Sequence, residues 1–290
     1  MSEFKVGFIG LGTMGEPMCT NILKKSQEPV NLFDINSEQV EKLSKMGGIG
    51  CNSVADVTEK SNLIFIMVPK NKDVRNVIEQ ILPVIKQGTI VVDMSTISPS
   101  VSRGMAAKIK EKGAFMIDAP VVKSRSAAES GTLGILVGGE KDIIDRVMNY
   151  LGMMGETITY LGGNGNGLVL KLIHNMLVGN IQNGVNEALI MAEKAGLDFE
   201  KTIKGIKSGG GQNFYMDVKA ESIKKGNWEA KFSIRNMYKD VWLHKTLAEK
   251  LNLELPGSNR VRQIYDKAFE AFPNEDFSAT YKIIKKESTK

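Results

Sequence analysis

Three glycines at fixed spacing follow the first apolar run and restrict what the N-terminal half of the chain can fold into. Gly10, Gly12 and Gly15 form the pattern G-x-G-x-x-G directly after Val6–Ile9. In a strand–turn–helix unit the first glycine permits a tight turn, the second lets the backbone approach a pyrophosphate, and the third lets the helix pack on the strand. The helix N-terminus then offers N–H groups to phosphates. The pattern predicts a dinucleotide-binding turn, and its cofactor-binding residues are Gly10, Leu11, Gly12, Thr13, Met14 and Gly15.

An acidic residue stands at the end of the second apolar run. Asp34 directly follows Val30–Phe33, about 20 residues beyond the glycines. A carboxylate at this place accepts hydrogen bonds from the adenosine ribose 2′-hydroxyl and repels a 2′-phosphate, so it predicts NAD rather than NADP. The alternative is a glycine-rich turn that binds nothing.

Short apolar runs alternate with amphipathic segments as far as Leu161. The apolar runs are Val6–Ile9, Val30–Phe33, Leu63–Val68, Ile90–Asp93, Phe115–Asp118, Leu133–Val137 and Thr157–Leu161. The amphipathic segments lie near Met14–Lys25, Ser37–Met46, Lys72–Ile85, Pro99–Lys112 and Lys141–Leu151. This alternation predicts an α/β fold with a doubly wound, Rossmann-type parallel sheet. The last two or three runs are expected to extend that basic nucleotide fold.

The pattern changes after a glycine-rich stretch at residues 162–167. A helical pattern without proline runs from Leu168 to about Ala195, further helical segments follow as far as Lys286, and no strand-like alternation returns. We therefore predict a NAD-binding Rossmann domain over residues 1–163 and an all-helical domain for substrate binding and oligomerisation over 164–290. A long helix would join them, and a cleft between two such domains is a usual place for a substrate.

Composition and charge exclude several classes of protein. The formal net charge of +5 is small for 290 residues, and no dense basic stripe with aromatics suggests a nucleic-acid partner. No apolar run approaches membrane-spanning length, and the chain does not open on a secretion signal. Cys19 and Cys51 lack metal-ligand spacing and suggest a reducing compartment. We expect a cytoplasmic homodimer or homotetramer that holds no metal and takes a small anionic substrate.

The long helix carries polar residues on one face. They are Gly167, Lys171, Asn175, Gln182 and Asn186, at spacings of four and seven. A lysine on a face that enters a domain junction needs a function or a partner. The alternative is a lysine on a solvated face, and the spacing alone leaves both open. His174 has no second histidine at metal spacing, so we expect it on the helix surface or the cleft wall rather than as a ligand.

Two polar segments follow neighbouring predicted strands. Residues 93–99 read Asp-Met-Ser-Thr-Ile-Ser-Pro, and residues 118–125 read Asp-Ala-Pro-Val-Val-Lys-Ser-Arg. Ligands bind beyond the carboxyl ends of strands in such sheets. The first segment is also compatible with a helix N-cap followed by Pro99, and the second with a charged loop that faces water.

Five motifs in order resemble those of a known family. They are Gly10-Leu-Gly12-Thr-Met14-Gly15-Glu-Pro-Met18-Cys-Thr-Asn21-Ile, Asp93-Met-Ser95-Thr96-Ile-Ser-Pro99, Asp118-Ala-Pro120-Val121, Gly165-x-Gly167-x-x-x-Lys171-x-x-x-Asn175, and Lys239-Asp240. The whole chain resembles the β-hydroxyacid dehydrogenases, which include 3-hydroxyisobutyrate dehydrogenase and tartronate semialdehyde reductase. The resemblance implies that Lys171 is the catalytic acid/base and that Asn175 orients the reacting oxygen. It also implies cofactor contacts from Val68, Pro69, Ser95, Thr96 and Lys239, the last closing the site from the helical domain.

One motif departs from the family pattern. Most members read Ser-Gly-Gly after Pro-Val, where this chain has Val122-Lys123-Ser124. A cation at this acid-binding corner resembles the sulfolactaldehyde reductase branch, which grips a sulfonate with a basic residue. That branch would have Arg at position 123 and Ser at position 178, where this chain has Lys and Val178. The substrate-binding residues implied are Val122, Lys123, Ser124, Arg125, His174 and Lys239.

The expected function is NAD-dependent hydride transfer that interconverts the terminal aldehyde and primary alcohol of a short acid, with 3-sulfolactaldehyde as one candidate substrate. The alternatives within this chemistry are 3-hydroxyisobutyrate dehydrogenase and tartronate or succinic semialdehyde reductase. A non-catalytic NAD-binding module and an imine reductase are further alternatives, but those relatives lack a lysine equivalent to Lys171. The sequence leaves open the physiological direction and the choice between sulfonate and carboxylate.

Overall fold

The computed structural model describes residues 4–288, which form two compact units that divide between Lys171 and Leu172. A 29-residue helix, α8 (Asn166–Lys194), crosses from the first unit into the second. The predicted boundary at residue 163 lies in the turn before α8, whereas the units divide within this helix, after Lys171.

The first unit is built on a six-stranded parallel sheet. Its strands are β1 (Val6–Ile9), β2 (Val30–Phe33), β3 (Ile49–Gly50), β4 (Leu63–Ile66), β5 (Ile90–Asp93) and β6 (Phe115–Asp118). The order is β3-β2-β1-β4-β5-β6. Its helices are α1 (Gly15–Ser26), α2 (Ser37–Ser44), α3 (Val54–Lys60), α4 (Asn71–Ile81) and α5 (Pro99–Glu111). The order reverses between β1 and β4, and ligands bind in the crevice beyond the strand ends at such a switch point.

A smaller sheet extends the first unit, as the sequence predicts. It consists of β7 (Val121–Val122), β8 (Leu133–Val137) and β9 (Gly155–Tyr160), in that order. The short helix α6 (Arg125–Ser130) joins β7 to β8, and α7 (Lys141–Met154) joins β8 to β9. The sequence did not predict β3, α3, β7 and α6, since two-residue strands and one- or two-turn helices carry too few residues for a periodic pattern.

The central strands are continuous apolar runs because helices cover both faces of the sheet. Alternate residues therefore enter two separate cores. Phe8 and Phe65 stack on one face with a centroid distance of 5.9 Å, while Ile64 and Ile66 belong to the core on the other face. Cys19 packs in the first core, and Cys51 is also buried; burial raises the pKa of both thiols.

The second unit is helical throughout its described part. After α8 come α9 (Phe199–Lys207), α10 (Phe214–Lys224), α11 (Ile234–Lys250), α12 (Pro256–Ala271), a 3-10 turn (Phe277–Ala279) and α13 (Thr280–Ser288). A buried ion pair joins Lys219 of α10 to Asp276, with Nζ–Oδ1 at 2.8 Å. Asp276 also accepts a hydrogen bond from the Ser278 N–H, so it fixes the start of the 3-10 turn. Within residues 4–288, none of the helices combines the length and apolar character needed to cross a lipid bilayer.

Candidate active site

The turn between β1 and α1 has the geometry that the glycine pattern predicts. Gly10 has φ +93°, and a Cβ there would lie 2.3 Å from the carbonyl oxygen of Met67. A Cβ on Gly15 would collide with the carbonyl oxygen of Gly10. Among residues 4–288, no atom outside the immediate chain neighbours lies within 4 Å of the position that a Cβ on Gly12 would take. Packing therefore explains two of the glycines, whereas Gly12 leaves the backbone accessible, as contact with a pyrophosphate requires.

The other predicted residues of this turn lie just before the N-terminus of α1. Leu11 is buried and Thr13 is exposed. Met14 is the N-cap of α1 and makes no side-chain capping hydrogen bond. Because the first N–H groups of a helix have no partner within the helix, this N-terminus is suited to an anion.

Asp34 fixes the end of β2 to the glycine turn. Its Oδ2 accepts a hydrogen bond from the Leu11 N–H at 2.5 Å, and its Oδ1 accepts one from the Asn36 N–H at 2.7 Å. A carboxylate beside the turn is the partner that the adenosine ribose of a dinucleotide needs.

The residues predicted to lie near nicotinamide gather where β4 and β5 end. The Val68 N–H donates to Oγ of Ser95 at 3.0 Å, and the Ser95 N–H donates to Oδ1 of Asp93 at 3.0 Å. Pro69 and Thr96 are the next residues along these two segments. The structure thus brings Val68 and Ser95 together at the carboxyl ends of adjacent parallel strands.

Lys171 lies near the start of α8, and its side chain is 9% exposed. Asp118, the last residue of β6, holds this part of the helix. Its Oδ1 accepts a hydrogen bond from the Gly165 N–H at 2.5 Å, and its Oδ2 accepts one from the Leu168 N–H at 2.9 Å. Asp118 pairs in register with Asp93, the residue that orients Ser95. The end of β5, which Ser95 follows, therefore lies beside the end of β6, where Asp118 anchors the start of α8.

The Asp118 carboxyl group is fully buried. Burial raises its pKa to about 6, although the N–H donors of Gly165 and Leu168 and the charge of Arg103 act in the opposite direction. Arg103 itself donates to the carbonyl oxygen of Asn164 at 2.9 Å, so it braces the same turn from α5.

Lys123 occupies the predicted acid-binding corner in an unusual backbone conformation. Its φ of +82° lies in the left-handed region that favours glycine, the residue that most of the resembling family has here. Its ammonium group donates to the carbonyl oxygen of Thr132 at 2.7 Å and pairs with Glu156 at 2.5 Å. The side chain is 42% exposed, and these two partners use two of the three N–H donors of the ammonium group.

The other residues of this corner are also engaged. Val122 ends β7. The Oγ of Ser124 lies 2.6 Å from the Oγ of Ser126, and Arg125 pairs with Glu16 at 3.2 Å and with Glu129 at 2.8 Å. Substrate binding by Val122, Lys123, Ser124 and Arg125 stays a prediction.

In the second unit, a hydrogen-bonded cluster surrounds the Asn175 amide. Its Nδ2 donates to Oδ2 of Asp240 at 2.6 Å, and its Oδ1 lies 2.9 Å from Nδ1 of His174. Lys239 lies 3.2 Å from the other oxygen of Asp240. Asn175 and Lys239 thus contact one buried carboxylate, and His174 contacts Asn175.

The polar stripe of α8 divides into two parts with different roles. Gln182 and Asn186 are fully buried, and Gln182 Nε2 donates to Oδ1 of Asn186 at 2.8 Å. Asn186 Nδ2 donates to Oγ1 of Thr280 at 3.0 Å. These two residues link α8 to the start of α13, so the sequence pattern grouped structural residues with candidate site residues.

Asp118 and Asp240 lie within the family motifs, but the sequence alone indicates no role for either. A carboxylate at the end of a buried strand, followed much later by a glycine-rich helix start, is a signal that could have identified Asp118 as a helix anchor. Glu156 gave no such signal, because its pairing with Lys123 depends on the order of strands in the small sheet.

Two family models match consecutive parts of this chain. The model described as the NAD binding domain of 6-phosphogluconate dehydrogenase matches residues 5–162. The model described as the NAD-binding of NADP-dependent 3-hydroxyisobutyrate dehydrogenase matches residues 165–284.

Several named relatives match almost end to end. The chain is 33% identical to 2-(hydroxymethyl)glutarate dehydrogenase of Eubacterium barkeri, over 97% of this chain and 95% of that one. It is 33% identical to 2-hydroxy-3-oxopropionate reductase of Escherichia coli, over 90% of each chain. The solved structure of 3-hydroxyisobutyrate dehydrogenase from Mycobacterium tuberculosis with L-serine matches with a TM-score of 0.91 and 25% identity, over 98% of this chain and 99% of that one. The chain belongs to the 3-hydroxyisobutyrate dehydrogenase family.

Membership of the 3-hydroxyisobutyrate dehydrogenase family confirms the predicted class and fold. The chain is an NAD(P)-dependent oxidoreductase of the hydroxyacid dehydrogenase type, with a Rossmann-like domain followed by a helical domain. Its residues fit the cofactor, because Gly12, the N-terminus of α1 and Asp34 supply the features that a dinucleotide requires. The roles of individual residues stay predictions.

Proposed function

We propose that this enzyme uses NAD to interconvert the terminal aldehyde and primary alcohol of a short anionic acid, with Lys171 as the acid/base. The observation that carries the proposal is the position of Lys171. Lys171 is largely buried on α8, one turn beyond a helix start that Asp118 ties to the end of β6, beside the end of β5 that Ser95 follows. A lysine seldom occupies a buried face unless it has a partner or a function.

The protein residues contribute proton transfer and orientation. Bound nicotinamide would supply or accept the hydride at the end of β5. In the reducing direction Lys171 donates a proton to the substrate carbonyl oxygen as negative charge develops there, and in the oxidising direction it removes the alcohol proton. Asn175, one helical turn later on α8, would orient that oxygen.

The proposed preference for NAD rests on Asp34. Its carboxylate is held beside the glycine turn by the N–H groups of Leu11 and Asn36. A negative charge at this place repels a 2′-phosphate, whereas ribose hydroxyls can donate to it.

The proposed substrate class rests on the names of the relatives and on Lys123. 2-(Hydroxymethyl)glutarate and 2-hydroxy-3-oxopropionate, named for two relatives, are short acids that bear a hydroxymethyl or an aldehyde group. Lys123 adds a cation to the predicted acid-binding corner, which favours a strongly acidic group such as the sulfonate of 3-sulfolactaldehyde. A carboxylate substrate, such as 3-hydroxyisobutyrate, tartronate semialdehyde or succinic semialdehyde, is the alternative, and the engagement of Lys123 by Glu156 favours it.

Two further proposals concern the setting of the enzyme. Both cysteines are free thiols, which suits a cytoplasmic location. Ile173, Leu177 and Met191 of α8 are exposed, which supports assembly into a homodimer or homotetramer. Analytical ultracentrifugation of the purified chain would test the second proposal, and a purely monomeric species would reject it.

A substrate panel with NADH and NADPH tests the proposed reaction directly. The panel should contain 3-sulfolactaldehyde, methylmalonate semialdehyde, tartronate semialdehyde and succinic semialdehyde, followed by absorbance of the reduced cofactor. Lys171→Met keeps most of the aliphatic side chain and removes the amine. We expect it to lower kcat by about 10²- to 10⁴-fold and to leave the Kd for NADH nearly unchanged.

The exposed Lys108 of α5 provides a matched control. Lys108→Met removes the same charge from the same unit, and we expect kcat to stay at the wild-type value. Unchanged turnover in Lys171→Met would reject the acid/base assignment. Turnover of none of the panel members by the wild-type enzyme would reject the proposed substrate class.

A further inference from the structure

The Asn175 side chain has a defined orientation in the structure. It is 4% exposed, and its amide lies between a carboxylate and an imidazole. An ionised carboxylate can only accept hydrogen bonds, so the group that faces Asp240 must be Nδ2 and the group that faces His174 must be Oδ1. The assignment of amide oxygen and nitrogen therefore follows from the chemistry of Asp240.

This orientation also fixes the tautomer of His174. Because Oδ1 of Asn175 can only accept, Nδ1 of His174 must carry the hydrogen in the 2.9 Å contact. Reversal of the amide would place its oxygen against the Asp240 carboxylate, which is repulsive, and would require His174 to change to the Nε2–H tautomer. The contact with Asp240 therefore selects one orientation, and His174 completes it as an Nδ1–H donor.

Asp240 is suited to a positioning role. It lies on α11 and is 2% exposed. One of its oxygens accepts from Asn175 at 2.6 Å, and Lys239 lies 3.2 Å from the other. His244, one turn later on α11, is also buried. The carboxylate is thus held on the side of α11 that contacts Asn175.

We propose, resting on the proposed function, that His174 and Asp240 are positioning residues that lock the Asn175 amide so that its second Nδ2 hydrogen donates to the reacting oxygen of the substrate. An amide NH2 group has two hydrogens, and Asp240 takes one of them. A donor that is fixed in advance stabilises the negative charge that develops on a carbonyl oxygen during reduction, since it needs no reorganisation at the moment of reaction.

A double-mutant cycle separates positioning from a merely structural role. His174→Phe removes Nδ1 but keeps a planar ring, and Asp240→Leu removes the acceptor at similar volume. We expect each variant to lower kcat by about tenfold, with a smaller change in KM. When either variant is combined with Asn175→Ala, it should lower kcat little further, because it acts through the Asn175 amide.

Conservative and matched variants keep the test interpretable. Asp240→Asn retains one acceptor oxygen and should therefore retain more activity than Asp240→Leu. If Asp240→Leu does not fold, Asp240→Asn still tests the proposal. Gln182→Leu removes another buried amide from the same face of α8, and kcat should stay at the wild-type value. Thermal unfolding of each variant, followed by circular dichroism, identifies any that are not folded.

A second measurement does not depend on activity. The chain contains only two histidines, His174 and His244, so ¹⁵N-histidine labelling gives two ring systems that His244→Gln assigns. We expect the neutral His174 ring to be the Nδ1–H tautomer at pH 8 and to lose this preference in Asn175→Leu.

Either of two results would overturn the inference. One is an Nε2–H tautomer for His174 in the wild-type protein. The other is a loss of kcat in His174→Phe and Asp240→Leu that is equally large in the Asn175→Ala background. Neither result touches the proposed function, which instead fails if Lys171→Met retains full turnover.

Discussion

The carboxylate of Asp118 accepts a hydrogen bond from the backbone N–H of Leu168 at 2.9 Å and so ties the end of β6 to the first turn of α8. Lys171 follows Leu168 within one helical turn. The position of the proposed acid/base thus depends on a buried acid that lies far from it in sequence. The side chain of Asp118 holds two backbone N–H groups, those of Gly165 and Leu168.

Asp118→Asn should change how stability depends on pH. Burial raises the pKa of Asp118 to about 6 in the folded protein, above its ordinary value of 3.8. The folded state therefore binds more protons between these two values, so the contribution of Asp118 to stability is full below pH 3.8 and is lost as pH rises through 6. We expect the stability of the wild type relative to Asp118→Asn to fall by roughly 2–3 kcal/mol between pH 4 and 6.5. Urea denaturation of both proteins at several pH values measures this difference, and a difference that stays constant would contradict the assignment.

The glycine turn offers a matched pair of substitutions. Gly10→Ala places a Cβ 2.3 Å from the Met67 carbonyl oxygen at a positive φ, so we expect it to lower the free energy of unfolding by more than about 1 kcal/mol. Gly12→Ala meets no neighbouring atom within residues 4–288, and we expect less than about 0.5 kcal/mol.

Although we expect Gly12→Ala to change stability little, it should change the affinity for NADH. We expect Gly12→Ala to weaken NADH binding by at least about tenfold, because its methyl group enters the place where a pyrophosphate approaches the backbone. Isothermal titration calorimetry on the folded variant measures this effect. Wild-type affinity in Gly12→Ala would show that the turn holds no pyrophosphate.

The preference for NAD can be tested at Asp34 and its neighbour. Ile35 is 98% exposed directly after Asp34, so a longer polar side chain fits there. The double variant Asp34→Ser, Ile35→Arg removes the charge that repels a 2′-phosphate and adds a cation that can bind it. We expect the ratio of kcat/KM for NADH to that for NADPH to fall by at least about tenfold. Ile35→Arg alone is the control, and a ratio that does not change in the double variant would reject the role of Asp34.

Lys123→Gly tests the substrate class without a large risk to folding. The left-handed conformation costs a lysine roughly 1–2 kcal/mol, and an exposed ion pair such as Lys123–Glu156 contributes about 0–1 kcal/mol. The variant should therefore be at least as stable as the wild type. For a sulfonate enzyme we expect KM for 3-sulfolactaldehyde to rise at least about tenfold while KM for carboxylates changes little. Equal KM changes for both substrate types would favour the carboxylate alternative.

Local sequence patterns predicted most of the first unit because its decisive features are local. The G-x-G-x-x-G turn joins β1 to α1, and Asp34 ends the next strand along the chain. The parallel strands are apolar runs bounded by helices, so their limits could be read to within a few residues. The two-residue strands β3 and β7 could not, since pairing with a neighbour defines them rather than their own composition.

Contacts between distant segments escaped the sequence analysis for a different physical reason. Lys219 and Asp276 form a buried ion pair across 57 residues, and Lys123 meets Glu156 across 33. From the sequence alone, these charged residues cannot be distinguished from those of a solvated surface. The same limit explains why Gln182 was grouped with Lys171, since a helical face shows which residues lie together but not what covers them.

The burial of Cys19 and Cys51 has a practical consequence. Only a thiolate attacks an alkylating reagent, and burial raises the pKa of both thiols. A single cysteine introduced at an exposed position would therefore be the sole target of a maleimide dye. The fluorescence of that dye could then report changes around its own position during turnover, without background labelling from the native thiols.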